Sequence, residues 1–290
     1  IDLSVGSVMG FVGVLIAYLQ YTSGWSWPTA CLAGLAVALL VSIYQGWLTA
    51  VLGVPSFVVT LGGLMSFRGA AFLVADGKTQ PVNDEFFQRL GGGYDGGIGV
   101  TASWVLAALV AVVLFARMVQ KRRARQRYDM PTEALWLDVL ITAVPVAVVF
   151  GFAWIMNSYQ ISSKSEPQGI PIPVLIWAVV AIVLSFIVHR TRFGRYVFAM
   201  GGNPDAAALV GIPVKRVTLM LFALLAVLVT IAAIVSIARL NAGTNSLGTG
   251  MELYVIAAAV IGGTALAGGS GSIFGSVLGA LIMQSLDSGM

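Results

Sequence analysis

The chain has 290 residues, of which 58% are hydrophobic and 10% charged, with a formal net charge of +4. Soluble domains carry about 25% charged residues, so this composition, with a mean hydropathy of +0.93, excludes an ordinary soluble domain. Several apolar runs reach the ~20 residues a helix needs to cross a bilayer, and the short alternating segments of a membrane β-barrel do not occur. The expected fold is all-α, a polytopic transmembrane helical bundle.

In chain order, the first apolar run covers residues 4–21. No cleavable signal peptide is visible, and the start at Ile1 leads us to expect a fragment. Runs at 28–51 and 55–75 follow, then, after a polar stretch, 102–119, 135–156, 172–189 and 217–238. The Gly-rich segments 252–267 and 272–286 read either as two tightly packed helices or as partly re-entrant ones. Cys31 lies inside an apolar run, so no disulfide framework and no Cys-based metal cluster is expected, and the lone His189 adds no metal case.

Lysine and arginine set the orientation. Arg117, Lys121, Arg122, Arg123, Arg125 and Arg127 cluster after one span; Arg190, Arg192, Arg195, Lys215 and Arg216 cluster two spans later. These eleven of the 16 basic residues therefore face one side, which the positive-inside rule makes the cytoplasm. The same rule explains a pI near 9.4 without nucleic acid. The segments around 76–101 and 157–171, with Asp76, Asp84, Glu85, Asp95 and Glu166 against Lys78, Arg89 and Lys164, belong outside.

Glycines recur every four residues at Gly271, Gly275 and Gly279, and at Gly6 and Gly10. That spacing puts them on one helix face, where they let helices pack closely in lipid. Gly77-Lys78-Thr79 suggests a phosphate loop, but position 72 is Phe72 where the motif needs glycine, and the segment falls on the outer side. The glycines of 91–99 open no βαβ unit and read as loop. No nucleophile, paired carboxylates or metal cluster stands out, which leaves a membrane enzyme without a catalytic group.

Ionisable residues in apolar segments are candidates by default, because charge is costly in the membrane. Arg68 and Arg239 sit toward span ends and can snorkel. Asp138 suits a helix N-terminus, and Thr249-x-x-Glu252 fits a capping box. Asp2, Glu252 and the outer-loop Asn241 are the candidates for a substrate path; for Asn241, Thr244 and Asn245 the plain reading is solvated turn residues.

Residues 190–216 hold the most legible local element. Asn203 is a strong N-cap, Pro204 suits the first helical position, and Asp205 sits where the helix dipole favours negative charge. Ala206 to Val210 continue the helix, Gly211 ends it, and Pro213 prevents its resumption. About seven residues, roughly 10 Å, are too short to be stable alone. The helix must pack back on its own protein or fit a groove in a partner.

"DAAALVG", from Asp205 to Gly211, resembles the Glu-Ala-Ala-x-x-x-Gly motif of ABC-importer permeases, with aspartate for glutamate. "HRTRFGRYVFAMGGNPDAAALVGI", "GTGMELYVIAAAVIGGTALAGGSGSIFGSVLGALI" and "IDLSVGSVMG" are similar to the ribose/xylose and branched-chain amino-acid permease family. The extra pair of spans around 117–127 looks most like its xylose-type sugar permeases.

The resemblance implies a type II-like ABC importer permease, truncated at both ends, in the bacterial inner membrane. It would be a single transmembrane domain over 1–290, with a basic cytoplasmic loop at 117–134 and a coupling-helix loop at 190–216. The implied partners are a cytoplasmic ATP-binding cassette subunit that binds the ATP, a periplasmic sugar-binding protein and a second permease copy; the chain itself would carry no cofactor. Asn203, Asp205, Ala206, Ala207 and Gly211 would contact the ATPase, with Gly194 and Arg195 in the flanking loop. The competing class is a secondary transporter or channel driven by an ion gradient, for which Asp2, Glu252 and Asp287 are the carboxylates.

Overall fold

The computed structural model describes residues 1–93, 96–131, 134–159 and 167–289. Its helices are α1 (Val5–Tyr21), α2 (Trp27–Ala50), α3 (Ser56–Ala75), α4 (Glu85–Arg89), α5 (Val100–Arg127) and α6 (Leu135–Ser158). They continue with α7 (Ile172–Arg190), α8 (Arg192–Gly202), α9 (Pro204–Leu209), α10 (Val214–Leu240), α11 (Met251–Ile261) and α12 (Ile273–Gly289). Two dipeptide strands, β1 (Gln80–Pro81) and β2 (Ala242–Gly243), pair antiparallel. Six of these helices, α2, α3, α5, α6, α7 and α10, are long and apolar enough to cross a membrane. The expected all-α polytopic bundle is what the chain forms.

The chain divides into two compact units, residues 1–91 with 176–290, and residues 92–175. In the first, α1 packs against α2, α3 and α10. Small residues permit this: Ala30, Gly34, Ala38, Ser42 and Gly46 form a buried stripe along α2 at four-residue spacing. Gly34 takes the Ile16 side chain, and Gly46 lies against Phe222 of α10. Between bilayer-spanning helices, close backbone approach and dispersion replace the hydrophobic driving force, so small residues line the contacts. The opposite face of α2 carries Leu32 and Leu40, both exposed as lipid-facing residues are.

Helix ends in this unit alternate. The β1–β2 pair brings the end of α3 beside the end of α10, and Thr22 after α1 bonds Gln80 at 3.1 Å. The start of α10 follows α9, so 27 helical residues, about 40 Å, separate α9 from the strand pair.

In the second unit, α5 and α6 form a hairpin. One end is closed by backbone pairing, Gly99 N to Gln168 O at 2.8 Å and Ile172 N to Gly96 O at 2.8 Å, with the Ser103 hydroxyl bonded between Gly99 O and Ile170 N. The other end is braced by an ion pair, Arg122 to Asp138 at 2.7 Å.

Several expectations need revision. The basic stretch is not loop from Arg117: α5 continues to Arg127, because Gln, Lys, Arg and Ala are good helix formers whatever their hydropathy. The segment 190–216 contains α8 as well as α9. Thr249 does not cap; its hydroxyl bonds Ser246 O at 2.7 Å, and Gly250, at φ +76, precedes α11 with no side-chain cap. The Gly6–Gly10 face meets irregular backbone, not a helix, whereas Gly275 and Gly279 do pack on the α11 backbone at Gly262 and Ala258. At 11 residues, roughly 16 Å, α11 is too short to cross a ~30 Å hydrocarbon layer by itself. Asp95, Lys164 and Glu166, used in the charge count, lie outside the described residues, as do positions 132 and 133 of the basic segment.

Candidate functional site: an exposed short helix and a buried polar centre

Helix α9 is held at both ends. The Asn203 side-chain oxygen accepts from the backbone N–H groups of Asp205 and Ala206, each at 3.0 Å. At the other end, Ile212 N bonds Ala207 O and Gly211 N bonds Ala208 O, both at 3.0 Å, with Gly211 at φ +85. This is the Schellman closure, and it requires the left-handed conformation that glycine alone adopts freely. Ala207 is buried against the protein, while Leu209 and Val210 are 89% and 79% exposed. The helix is thus seated on one residue and presents an apolar tip.

The residues proposed for ATPase contact therefore separate. Asn203, Asp205, Ala206, Gly211 and Arg195 are exposed; Ala207 and Gly194 are buried and serve as seating. Gly194 is required because Val188 backbone occupies the place of a side chain, where α8 folds back over the end of α7. Thr191 caps α8 by accepting from Gly194 N at 3.3 Å.

At its far end α8 touches a second structure. Gly201 lies backbone to backbone against Gly268 and Gly269, in the turn between α11 and α12. A cavity of about 460 Å³ opens beside this contact, lined by Phe198, Met200, Leu221 and Thr264 among others.

The buried polar centre lies around the start of α1. Asp2 Oδ1 accepts from Ser4 N and Ser4 Oγ, each at 2.7 Å, and Ser4 Oγ accepts from Gln45 Nε2 at 3.1 Å. Leu3 N donates to Thr60 Oγ1 at 3.0 Å, joining α3 to the same cluster. Ser4, Gln45 and Thr60 are buried, and the Gln45 amide fills the space left by the absent side chain of Gly63. Buried polar groups must find partners: Asp2, Ser4 and Gln45 supply one another, and Thr60 is satisfied by backbone, accepting from Leu3 N and donating to Ser56 O.

Residues 243–250 run beside α1 without forming a helix. Gly243 lies against Val14 and Ala17, Leu247 against Gly10 and Gly13, and Gly248 against Gly6. Irregular backbone at membrane depth survives only where its polar groups are satisfied. Arg68 does this: its Nη1 donates to Leu247 O at 3.1 Å and Asn245 O at 3.3 Å. The expectation that Arg68 snorkels is corrected; it points inward because those carbonyls lack helical donors.

Glu252, in the first turn of α11, is buried against Gly6, and its Oε2 has no partner among the described residues; Ser7 Oγ is likewise unpartnered. Glu252 thus meets the first turn of α1, which Asp2 precedes, while Asn241 stands apart as the left-handed C-cap of α10, its carbonyl taken by Val82 N at 2.9 Å. Gln45, Ser4, Thr60 and the inward role of Arg68 were not read from the sequence. An amide inside the 28–51 run, Gln45, was the available signal.

A multi-pass helical bundle with a short rigid helix at one end, and broken helix around buried polar groups, defines a membrane transport component. The chain matches the family described as branched-chain amino acid transport system, permease component, over residues 1–290, and it belongs to that family. It is 42% identical to the xylose transport system permease protein XylH of Haemophilus influenzae, over all of this chain and 74% of that protein. It is 38% identical to XylH of Escherichia coli, over all of this chain and 71% of that protein. The ribose import permease protein RbsC of Escherichia coli is 43% identical over 43% of this chain and 39% of its own length. No solved structure matches the chain. The protein is a multi-pass permease component of the bacterial inner membrane.

Proposed function

We propose that the chain is the membrane-spanning subunit of an ATP-driven importer for a monosaccharide, a pentose such as xylose. The two relatives named as xylose permeases, matched over the whole of this chain, support that cargo. ATP is bound by a separate cytoplasmic ATP-binding cassette subunit, and this chain carries no ATPase site and no cofactor. A periplasmic sugar-binding protein delivers the cargo at the opposite face, and a second permease copy shares the path.

The observation that carries this reading is the exposed tip of α9. A helix closed at both ends and seated on Ala207, with Leu209 and Val210 outside, is a rigid body with an apolar contact to offer. Such a helix laid in a partner's groove follows the partner's movement. The basic residues Arg190, Arg192, Arg195, Lys215 and Arg216 around it favour the cytoplasmic side, where the ATPase is.

A continuous series of contacts leads inward from that tip. α9 packs on α8, Gly201 of α8 meets Gly268 and Gly269, and that turn ends α11, whose first turn holds Glu252 against Gly6 of α1. Closure of the ATPase dimer moves α9, and the rigid elements carry the displacement to the contact between α11 and α1. The unpartnered oxygens of Ser7 and Glu252 offer hydrogen bonds to sugar hydroxyls as that contact opens. Asp2 acts as a brace for Ser4, and Asn241 shapes the outer turn.

Proteoliposomes holding the permease, its ATPase and its binding protein should accumulate xylose on addition of ATP, with or without a protonophore. Uptake abolished by the protonophore and indifferent to the ATPase identifies an ion-driven secondary transporter instead, with Asp2, Glu252 and Asp287 as its candidate carboxylates. In the same preparation, L209C should crosslink to a cysteine-bearing ATPase and A207C should not. No crosslink from L209C removes the tip of α9 from the contact.

A further inference from the structure

The groove between α5 and α6 belongs to no part of the transport route above. It encloses about 320 Å³, within the range of small-molecule sites. Residues 114, 117, 118, 121, 122 and 125 of α5 share one helix face, and 138, 141, 142 and 145 of α6 face them. At its mouth are Arg117, Lys121 and Arg125. Arg122, beside them, is engaged by Asp138, but no carboxylate among the described residues lies within 4.0 Å of the other three. The floor is apolar, with Leu114, Met118 and Ile141.

Where the groove sits selects its ligand. The apolar part of α5, Val100 to Ala116, has 17 residues and extends about 25 Å. Arg117 therefore falls where a ~30 Å hydrocarbon layer gives way to headgroups. A cationic mouth at headgroup level over an apolar floor matches an anionic amphiphile. A small soluble anion would gain nothing from Leu114 and Met118, and a zwitterionic lipid would bring its own cation against three others. Basic pockets between membrane helices attract anionic headgroups by this same electrostatic logic.

We infer that the α5–α6 groove is a binding site for an anionic phospholipid, its phosphate held by Arg117, Lys121 and Arg125 and an acyl chain along the apolar floor. The lipid joins the two helices beside the Arg122–Asp138 pair.

The test is native mass spectrometry of the purified permease in detergent, titrated with phosphatidylglycerol, with phosphatidylethanolamine of the same chains, and with inorganic phosphate. The expected result is about tenfold preference for phosphatidylglycerol, lost in R117Q/R125Q and kept in R123Q/R127Q, which removes the same charge from positions that do not line the groove. If R117Q/R125Q is not monodisperse, K121Q replaces it and should reduce binding about threefold or more. Equal losses in the lining and non-lining pairs, or no loss in either, overturn the site. Displacement of phosphatidylglycerol by inorganic phosphate alone makes it a free-anion site and overturns the lipid assignment.

Discussion

Two basic segments look alike in the sequence and differ in the fold. Arg117 to Arg127 prolongs α5 as unbroken helix, and its cations line a groove against α6. Residues 190–216 break into α8 and α9, and what they present is not charge but the side chains of Leu209 and Val210. The same excess of lysine and arginine thus accompanies a straight extension in one place and a jointed arm in the other. Basic charge specifies which side of the membrane a segment occupies; glycine, proline and asparagine specify what it becomes there.

The contrast can be broken most severely at Gly211. G211V places a β-branched residue at φ +85 and opens the Schellman closure, which costs about 2 kcal/mol or more and reorients the end of α9. ATP-driven uptake should fall at least about tenfold with membrane insertion and ATPase activity retained; unchanged coupling would remove α9 from the transmission route. A smaller loss is expected for N203A, which deletes the two cap bonds for about 1 kcal/mol. Permease–ATPase affinity should weaken roughly fivefold, read by titration of the solubilised complex. The smallest effect belongs to the other segment: R123Q/R127Q should leave ATP-driven uptake within about twofold, since surface charges off the groove contribute little. A large loss there would make the two segments functionally equivalent.

What could be read beforehand followed from local chemistry. The span expected at 28–51 is α2 at Trp27–Ala50, and the short helix expected at 204–210 is α9 at Pro204–Leu209, because apolar run length, Asn-Pro capping and Gly-x-Pro termination each act within a few residues. The far end of α5 was missed because hydropathy marks the part of a helix in lipid, not the helix itself. Within the site, Asp2 and Glu252 were legible as costly charges, but their surroundings were not. Glu252 turns inward because Gly250 takes a left-handed conformation and Gly6 leaves room, neither of which the Thr249-x-x-Glu252 spacing encodes. The inward Arg68 depends on carbonyls 177 and 179 residues away. The contact of Gly201 with Gly268 and Gly269 is likewise visible only once both turns are in place.

The seam along α1 has a consequence for how this protein can vary. At Gly6 and Gly10 the backbone of the neighbouring strip of chain, 243–250, stands where a methyl group would be, so each position admits one residue type, whereas Gly13 meets only side-chain atoms, nearest the end of Leu247. On the lipid-facing side of α3, Leu73 is 79% exposed, and almost any apolar side chain would serve. A saturation mutagenesis scan would therefore draw the seam as two isolated intolerant columns amid more permissive ones, a barcode of where backbone rides on backbone.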